Sequence, residues 1–247
     1  MTGAADADDS RICVGPAACY VGILPSCVQD ESEVVTELSD EFITVRDERL
    51  AHPETVPAAG RLYAKFADKI KIGNAATNGT AYYSSGSRAI YFNQKEDIND
   101  SRGPGSVFFH ETGHLIDDAA TEYGFFSAKN EKFKTALKAD VEGYIVNYMK
   151  THSCSRDEAM FGVSCELRGN DKAGVSDIFG ALTDCKCQGN WGHSRDYWKY
   201  NVNNFAIEAF ANMFEASVGE KNKAEIMKHF LPDAYNEFLN MIEEASQ

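Results

Sequence analysis

The chain has 247 residues, of which 38 are acidic and 24 are basic, giving a formal net charge of −14 at pH 7. Its 43% hydrophobic content is that of a globular protein with a substantial core rather than of a disordered chain. A surface this acidic repels phosphate, so neither nucleic acid nor an anionic membrane is expected as a partner. The sequence shows no apolar run long enough to span a bilayer and no start typical of a signal peptide.

Three of the seven cysteines lie in the first 27 residues, and the other four lie between 154 and 187. Their number is odd and none are spaced as CxxC, so reduced thiols in an intracellular protein are the simplest expectation. Alternatively, Cys185, Cys187 and His193 could bind a soft metal, although two thiolates one residue apart depart from the usual zinc spacings.

The chain is predicted to consist of an irregular acidic N-terminal segment, residues 1–35, and one mostly helical α+β domain, residues 36–247. Near the start of the domain, apolar residues at helical spacing predict a short amphipathic helix over 60–72. Two β-rich runs, Ala81–Tyr83 and Ala89–Phe92, then flank a Ser-Ser-Gly-Ser turn and predict a β-hairpin.

The next predicted element is a helix that begins near Pro104 or Ser106 and carries apolar residues around most of its circumference. Such a helix is expected in the middle of a domain rather than on its surface. Residues 127–150 are predicted to be mostly helical, and residues 151–195, rich in Cys, Gly and Asn, to be irregular. Three further helices are predicted, at 203–216, 221–230 and 233–244.

The motif His110-Glu111-Thr112-Gly113-His114 lies on the predicted central helix. Histidines four residues apart share one helix face, so both imidazoles can bind one zinc ion. Glu111 lies about 100° around the helix from His110, where its carboxylate can hold a zinc-bound water without binding the metal. Zinc lowers the pKa of such a water toward ~7, and the carboxylate can take its proton as the water attacks a carbonyl. The motif therefore predicts a hydrolytic zinc site with Glu111 as general base.

A catalytic zinc site needs a third protein ligand, for which the sequence offers more than one candidate. Asp117 and Ala120 stand where a metzincin has Gly and His, so that class is excluded. Asp117 could bind the metal or hydrogen-bond a ligand imidazole, and Asp118 could support a ligand in the same way. Glu208 is the better candidate, because it lies on a polar stripe of an otherwise apolar helix, although such a stripe could also face solvent. The stripe consists of Asn204, Glu208, Asn212 and Glu215.

The stretch VFFHETGHLIDDAA, followed by the helical segment Glu208–Phe214, resembles the peptidase domain of anthrax lethal factor and its relatives, which are zincins. Residues 176–183 and 189–198 also resemble phage minor head proteins that carry such a domain. The likeness covers about residues 75–245. It implies a zincin-like fold with zinc as the cofactor.

The resemblance also assigns roles to individual residues. It implies that three side chains bind zinc, namely His110, His114 and Glu208. Glu111 is then the base, and Asn212 stands where the family often has a second acid that supports a ligand histidine. The interval between His114 and Glu208 is longer than in the lethal-factor pattern, which implies an insertion around 125–190.

Such an enzyme also needs a group that stabilises the developing oxyanion. His193, Tyr197 and Tyr200 precede the Glu208 helix and are the candidates, and the resemblance favours a tyrosine. The alternative for each aromatic residue is a place in the core or on the surface. The strand at 89–93, just before the central helix, is expected to be the edge strand that pairs with an extended peptide.

The sequence therefore predicts a gluzincin-like zinc metalloendopeptidase that acts on a protein or peptide substrate, in the cytoplasm or in a virion. An alternative is a phage head-associated structural or assembly module that keeps the zincin fold and a structural metal, with capsid or portal proteins as partners. A third hypothesis, an exported toxin, fits the lethal-factor resemblance but lacks a recognisable export signal.

Overall fold

The computed structural model describes residues 36–73, 81–219 and 221–247. Within these residues the fold is α+β, mostly helical with one small sheet, as the sequence predicts. No helix in the described ranges is long and apolar enough to cross a membrane. The predicted irregular segment, residues 1–35, lies outside them together with its three cysteines. The helices are α1 (Asp40–Ala51), α2 (Pro57–Phe66), α3 (Gln94–Asp97), α4 (Ser106–Ala119), α5 (Phe126–Lys129), α6 (Glu131–His152), α7 (Arg156–Glu166), α8 (Ala173–Leu182), α9 (Arg195–Tyr200), α10 (Asn204–Ala216), α11 (Lys221–Phe230) and α12 (Pro232–Ser246).

The three strands of the sheet are β1 (Lys71–Gly73), β2 (Tyr82–Ser84) and β3 (Ala89–Tyr91). β2 and β3 form the predicted hairpin and are antiparallel, with Tyr83 opposite Ile90, whereas β1 runs parallel to β3. Because β3 lies between the other two strands, the prediction that residues 89–93 form an edge strand is wrong. Within the described chain, β2 is an edge strand of the sheet, because it pairs with β3 alone.

The start of α4 is stabilised by a side chain from another element. The helix begins at Ser106, as predicted, and the carboxylate of Asp97 in α3 lies against its first turn. The two oxygens of Asp97 accept hydrogen bonds from the backbone N–H groups of Val107 and Phe108, each at 2.9 Å. These N–H groups have no partner within the helix, so Asp97 fixes where α4 begins.

At the centre of the protein, α4 packs against α10 at Gly113. A methyl group at Gly113 would lie 2.7 Å from the Cα of Ala211 and 3.2 Å from the Cβ of Phe214. Only a residue without a side chain lets the two backbones approach this closely. On its other sides α4 contacts α2 and the sheet, and Phe108 packs edge-on against Phe42 of α1. α4 is therefore the buried central helix that the sequence predicts.

Two predictions of local structure are wrong. Residues 151–195, predicted to be irregular, contain α7 and α8. The side chains and backbones of Ser155 and Glu158 form a capping box at the start of α7, and this signal is visible in the sequence as Ser-x-x-Glu. The helix predicted over 60–72 ends at Phe66. The last predicted residues lie instead in β1, which pairs with β3 further along the chain.

The other predicted helices are confirmed. The mostly helical region at 127–150 corresponds to α6, and the three C-terminal helices correspond to α10, α11 and α12. The insertion predicted around 125–190 comprises α5 to α8 and the residues that follow them. Its assignment as an insertion stays a prediction.

Gly113→Ala is expected to lower the free energy of unfolding by about 1–3 kcal/mol, because the new methyl group must push α10 away from α4. Gly143→Ala is the matched control, since it makes the same change on an open face of α6. The new Cβ would have no atom from outside its own stretch of helix within 4 Å. This control is expected to raise the free energy of unfolding by about 0.4–1 kcal/mol. Urea unfolding followed by circular dichroism measures both, and equal effects would show that the α4–α10 contact tolerates a side chain.

Candidate metal centre

Three predicted ligands meet where α4 and α10 face each other. The Nε2 atoms of His110 and His114 lie 3.2 Å apart, and Oε2 of Glu208 lies 3.3 Å and 3.4 Å from them. Two ligands of a tetrahedral zinc ion, each about 2.0–2.1 Å from the metal, are about 3.3–3.4 Å apart. The three atoms therefore form one face of a tetrahedron of the size that zinc requires.

The chemistry of these three groups also fits zinc. Two imidazole nitrogens and one carboxylate oxygen are a donor set of catalytic zinc sites, which keep a fourth position open. Glu208 is 1% exposed, and the neighbours of its Oε2 are the Nε2 atoms of His110 and His114 at 3.3 Å and 3.4 Å. Burial opposes ionisation of this carboxyl, but the charges of His114 and His193 outweigh it and hold the pKa of Glu208 well below its ordinary value. A bound cation would act on this pKa in the same direction.

Glu111 lies beside the three ligands without joining them. Its side chain is 1% exposed and interacts electrostatically with His110, His114 and Glu208. The backbone N–H of Tyr83 in β2 donates a hydrogen bond to this carboxylate, whereas its Oε2 is buried without a partner in the described chain. Burial raises the pKa of Glu111, which makes it a stronger base than an ordinary glutamate. This position suits a group that takes a proton next to a metal.

Tyr197, predicted as a catalytic residue, contacts the predicted ligand Glu208 directly. Its hydroxyl donates a hydrogen bond to Oε1 of Glu208, which leaves Oε2 for the two histidines. The Nδ2 of Asn204 donates to the backbone carbonyl of Tyr197 at 3.0 Å and anchors this residue to α10. Burial and the charge of Glu208 raise the pKa of Tyr197, so the hydroxyl stays protonated. Tyr200, the other candidate tyrosine, is 62% exposed and faces solvent.

His193, also predicted as a catalytic residue, lies next to Tyr197. The two rings stack with their centroids 4.0 Å apart. Asp177 in α8 accepts a hydrogen bond from Nδ1 of His193 at 2.9 Å, a contact that the sequence analysis does not predict. Burial of the ring opposes its protonation, but the charge of Asp177 outweighs it and raises the pKa of His193 to about 9.

The two acids that follow the motif on α4 make their hydrogen bonds to other residues than the histidines. Asp117 accepts hydrogen bonds from the backbone N–H of Ser127 at 2.7 Å and from its hydroxyl at 2.5 Å. Asp118 accepts a hydrogen bond from the Tyr83 hydroxyl at 2.7 Å. The predicted role of Asp117 as a third ligand is therefore wrong, because both of its oxygens fasten α4 to α5. Asp117 interacts with the charge of His114, but no hydrogen bond joins the two side chains in the described chain.

The polar stripe of α10 is buried along its whole length, so the alternative of a solvent-facing stripe is wrong. Asn212 lines a small cavity together with His110, and its Nδ2 has no partner within the described residues. The amide thus lies near a ligand histidine, where the resemblance places a supporting side chain. A hydrogen bond between the two stays a prediction.

The cysteines take no part in a metal site within the described chain. The four described cysteines are free thiols, as expected. Two groups of possible metal ligands have atoms within 4.8 Å of one another in the described ranges, and neither contains a cysteine. The predicted soft-metal site of Cys185, Cys187 and His193 is therefore wrong. Burial raises the pKa of Cys187 to about 12, so this thiol is protonated at neutral pH.

Comparison of the chain with protein-family models, with curated proteins and with solved structures gave no match. The resemblance to lethal-factor-like zincins and to phage minor head proteins therefore stays a prediction. A functional conclusion has to come from the geometry and the chemistry of the site.

Glu215, the last residue of the polar stripe, is the centre of a buried ion network. Lys223 donates to its carboxylate and, at 2.9 Å, to the hydroxyl of Ser106. The guanidinium of Arg49 lies 3.8 Å from the same carboxylate and also donates to the backbone carbonyl of Val218. Burial opposes ionisation of Glu215, but the charges of Lys223 and Arg49 lower its pKa to about 2. The network joins α1, α4, α10 and α11 around the metal centre.

Because the pKa of Glu215 falls from 4.5 to about 2 on folding, its ionised form stabilises the protein above pH 4.5. This contribution, about 3 kcal/mol, is lost as the pH falls from 4.5 toward 2. The difference in free energy of unfolding between wild type and Glu215→Gln is therefore expected to shrink by that amount over this range. Urea unfolding of metal-free protein measures it.

The matched control is Glu243→Gln, which removes one partner of an exposed ion pair with Arg61. Its effect on the free energy of unfolding is expected to stay below about 1 kcal/mol at every pH. A Glu215→Gln difference that does not change with pH would contradict the assignment of a lowered pKa to this network.

Proposed function

We propose that this protein is a zinc-dependent metalloendopeptidase with a zincin-like fold. The observation that carries the proposal is the approach of three buried ligand atoms to 3.2–3.4 Å of one another, next to the buried carboxylate of Glu111. The residues that would hold zinc are His110, His114 and Glu208. When bound, zinc would supply a Lewis acid that acidifies water and polarises the substrate carbonyl.

Glu111 is the residue that moves the proton. Its Oε2 is unpartnered within the described chain, while the N–H of Tyr83 holds the carboxylate in place. This oxygen takes a proton from the attacking water and then delivers it to the nitrogen of the leaving amine, so the base of the first step is the acid of the second. The raised pKa of Glu111 suits both transfers, because the group gains and releases a proton readily.

The position of β2 favours a peptide as the substrate. β2 packs against α4 with the backbone of Tyr83 next to Glu111, and within the described residues its other edge pairs with no strand. An extended peptide that pairs with this edge of β2 would bring a backbone carbonyl next to Glu111. The peptide-pairing role predicted for residues 89–93 is thus assigned to β2.

Glu111→Gln is expected to abolish peptide hydrolysis, with a loss of at least 100-fold, and to keep about one zinc ion per chain. The reason is that an amide cannot take the proton from water, whereas the three ligand side chains are unchanged. Digestion of a peptide library, followed by mass spectrometry, measures the activity, and elemental analysis measures the zinc. His110→Ala is the control, because it removes a ligand and is expected to lose the metal.

The outcome also separates the two functions predicted from the sequence. A wild-type protein that holds zinc but cleaves no library peptide would contradict the peptidase proposal and favour a structural metal in an assembly module. A wild-type protein that is stable and binds no zinc would contradict both.

Tyr197→Phe is expected to lower the affinity for zinc by about 10- to 100-fold, because the hydrogen bond that orients Glu208 is lost. Tyr200→Phe is the matched control, since it removes the same hydroxyl from an exposed tyrosine three positions away. Competition with a chromophoric chelator measures both affinities. Equal zinc affinities in the two variants would show that the tyrosine hydroxyl has no part in holding Glu208.

A further inference from the structure

Tyr83 joins the edge strand β2 to α4 at two points. Its backbone N–H donates a hydrogen bond to the carboxylate of Glu111, and its hydroxyl donates one to Oδ2 of Asp118 at 2.7 Å. Glu111 and Asp118 are seven positions apart on α4, so they share a helix face and lie about 10 Å apart along the axis. One residue of β2 thus contacts both ends of a stretch of α4 that contains the proposed ligand His114.

The contact between the hydroxyl and Asp118 is both strong and persistent. Tyr83 is 6% exposed, and a hydrogen bond to a carboxylate is stronger than one between two neutral groups. Burial and then the hydrogen bond to Asp118 raise the pKa of Tyr83, so the hydroxyl keeps its proton and donates it at neutral pH. Two fixed points set both the position and the direction of β2 on α4, whereas one point would let the strand pivot.

β2 needs such a fixed position because it is short and lies at an edge. It has three residues, and within the described chain it pairs with β3 alone. A short hairpin is only marginally stable unless it packs on another element. A peptide carbonyl must lie within about 0.5 Å of its productive position, and a displacement of about 1 Å can cost about 100-fold in rate. A movement of β2 on α4 would displace a paired peptide in the same way.

We propose that Tyr83 is a positioning residue whose hydroxyl fixes β2 to Asp118, so that a peptide paired with β2 presents one carbonyl to Glu111. This inference rests on the proposed peptidase function. In this role Tyr83 transfers no proton and binds no metal. Long extended segments are the substrates that benefit, because a peptide too short to pair with β2 gains nothing from a fixed strand.

The alternative is that the hydroxyl of Tyr83 serves folding alone. Its loss would then lower the free energy of unfolding and would slow the cleavage of every peptide by the same factor. The two roles therefore differ in how the rate depends on the length of the peptide.

The test compares Tyr83→Phe with wild type, both zinc-loaded, on fluorogenic peptides that share one cleaved sequence from the library digest and grow residue by residue on both sides. In wild type, kcat/KM is expected to rise at least 10-fold from the shortest cleaved peptide to the longest. Tyr83→Phe is expected to lose most of this gain and to cleave the shortest peptide within about 2-fold of the wild-type rate. Mass spectrometry of the longest peptide is expected to show cleavage at neighbouring bonds as well, because the register of the peptide is less fixed.

Tyr235→Phe is the matched control, since it removes the hydroxyl of another buried tyrosine, which forms a hydrogen bond with Ser217 at 3.2 Å. It is expected to leave the gain with length and the cleavage site unchanged. Asp118→Asn keeps an acceptor for the hydroxyl and is expected to retain most of the gain, whereas Asp118→Ala is expected to lose as much as Tyr83→Phe. Combining Tyr83→Phe with Asp118→Ala is expected to cause no further loss, and zinc content is expected to match wild type throughout.

Three outcomes would overturn the inference. The first is a gain with length in Tyr83→Phe that equals that of wild type, and the second is an equal loss at every length, which would assign the hydroxyl to folding alone. The third is a loss in the double variant that equals the product of the two single losses. If Tyr83→Phe does not fold, the comparison of Asp118→Ala with Asp118→Asn on the same peptides decides between the two roles. A wild-type protein that cleaves no peptide would refute the proposed function, whereas the three outcomes above leave that function intact.

Discussion

Where α4 meets α10, a methyl group at Gly113 would lie 2.7 Å from the Cα of Ala211, which lies on the same helix as Glu208, three residues further along. Zinc sites tolerate deviations of only about 0.2 Å in ligand distance. A methyl group at Gly113 would move α10 by more than this tolerance if the helix shifted as a rigid body. The glycine between Glu111 and His114 therefore helps to set the distance between Glu208 and the two histidines, the three predicted ligands.

The interior holds several acids, and nearly all of their oxygens have donors. Asp97 accepts the first N–H groups of α4, Asp117 accepts both donors of Ser127, and Glu215 pairs with Lys223. A buried charge is unfavourable unless it is paired, so these contacts are conditions for folding. Within the described chain, two buried carboxylate oxygens have no hydrogen bond of ordinary geometry, namely Oε2 of Glu111 and Oε2 of Glu208, the second of which lies 3.3–3.4 Å from two imidazole nitrogens. Both are at the site where the sequence predicts a metal and a water.

The sequence is informative where the relevant contacts are local. Histidines at i and i+4 share a helix face whatever the fold, and the period of α10 places Glu208 among apolar residues. Contacts between distant residues carry no such signal, because nothing in the chain near Asp177 indicates that α8 will lie beside His193. The same holds for β1. Its local sequence predicts the end of a helix, and its pairing with β3 in the folded chain makes it a strand. The local pattern thus predicts the ligands, whereas the groups that orient them become visible only in the folded chain.

Charge balance gives a further reason why this pocket suits a divalent cation. Without a metal, the charges of His114 and His193 outweigh the effect of burial and lower the pKa of Glu208. Imidazoles bind zinc in their neutral form, so a zinc ion among His110, His114 and Glu208 would replace the proton of His114 as the positive charge beside the buried carboxylates of Glu111 and Glu208. Buried carboxylates are unfavourable without such a partner. The −14 charge of the whole chain can be screened by solvent and salt, whereas these two buried carboxylates need a positive charge within the site.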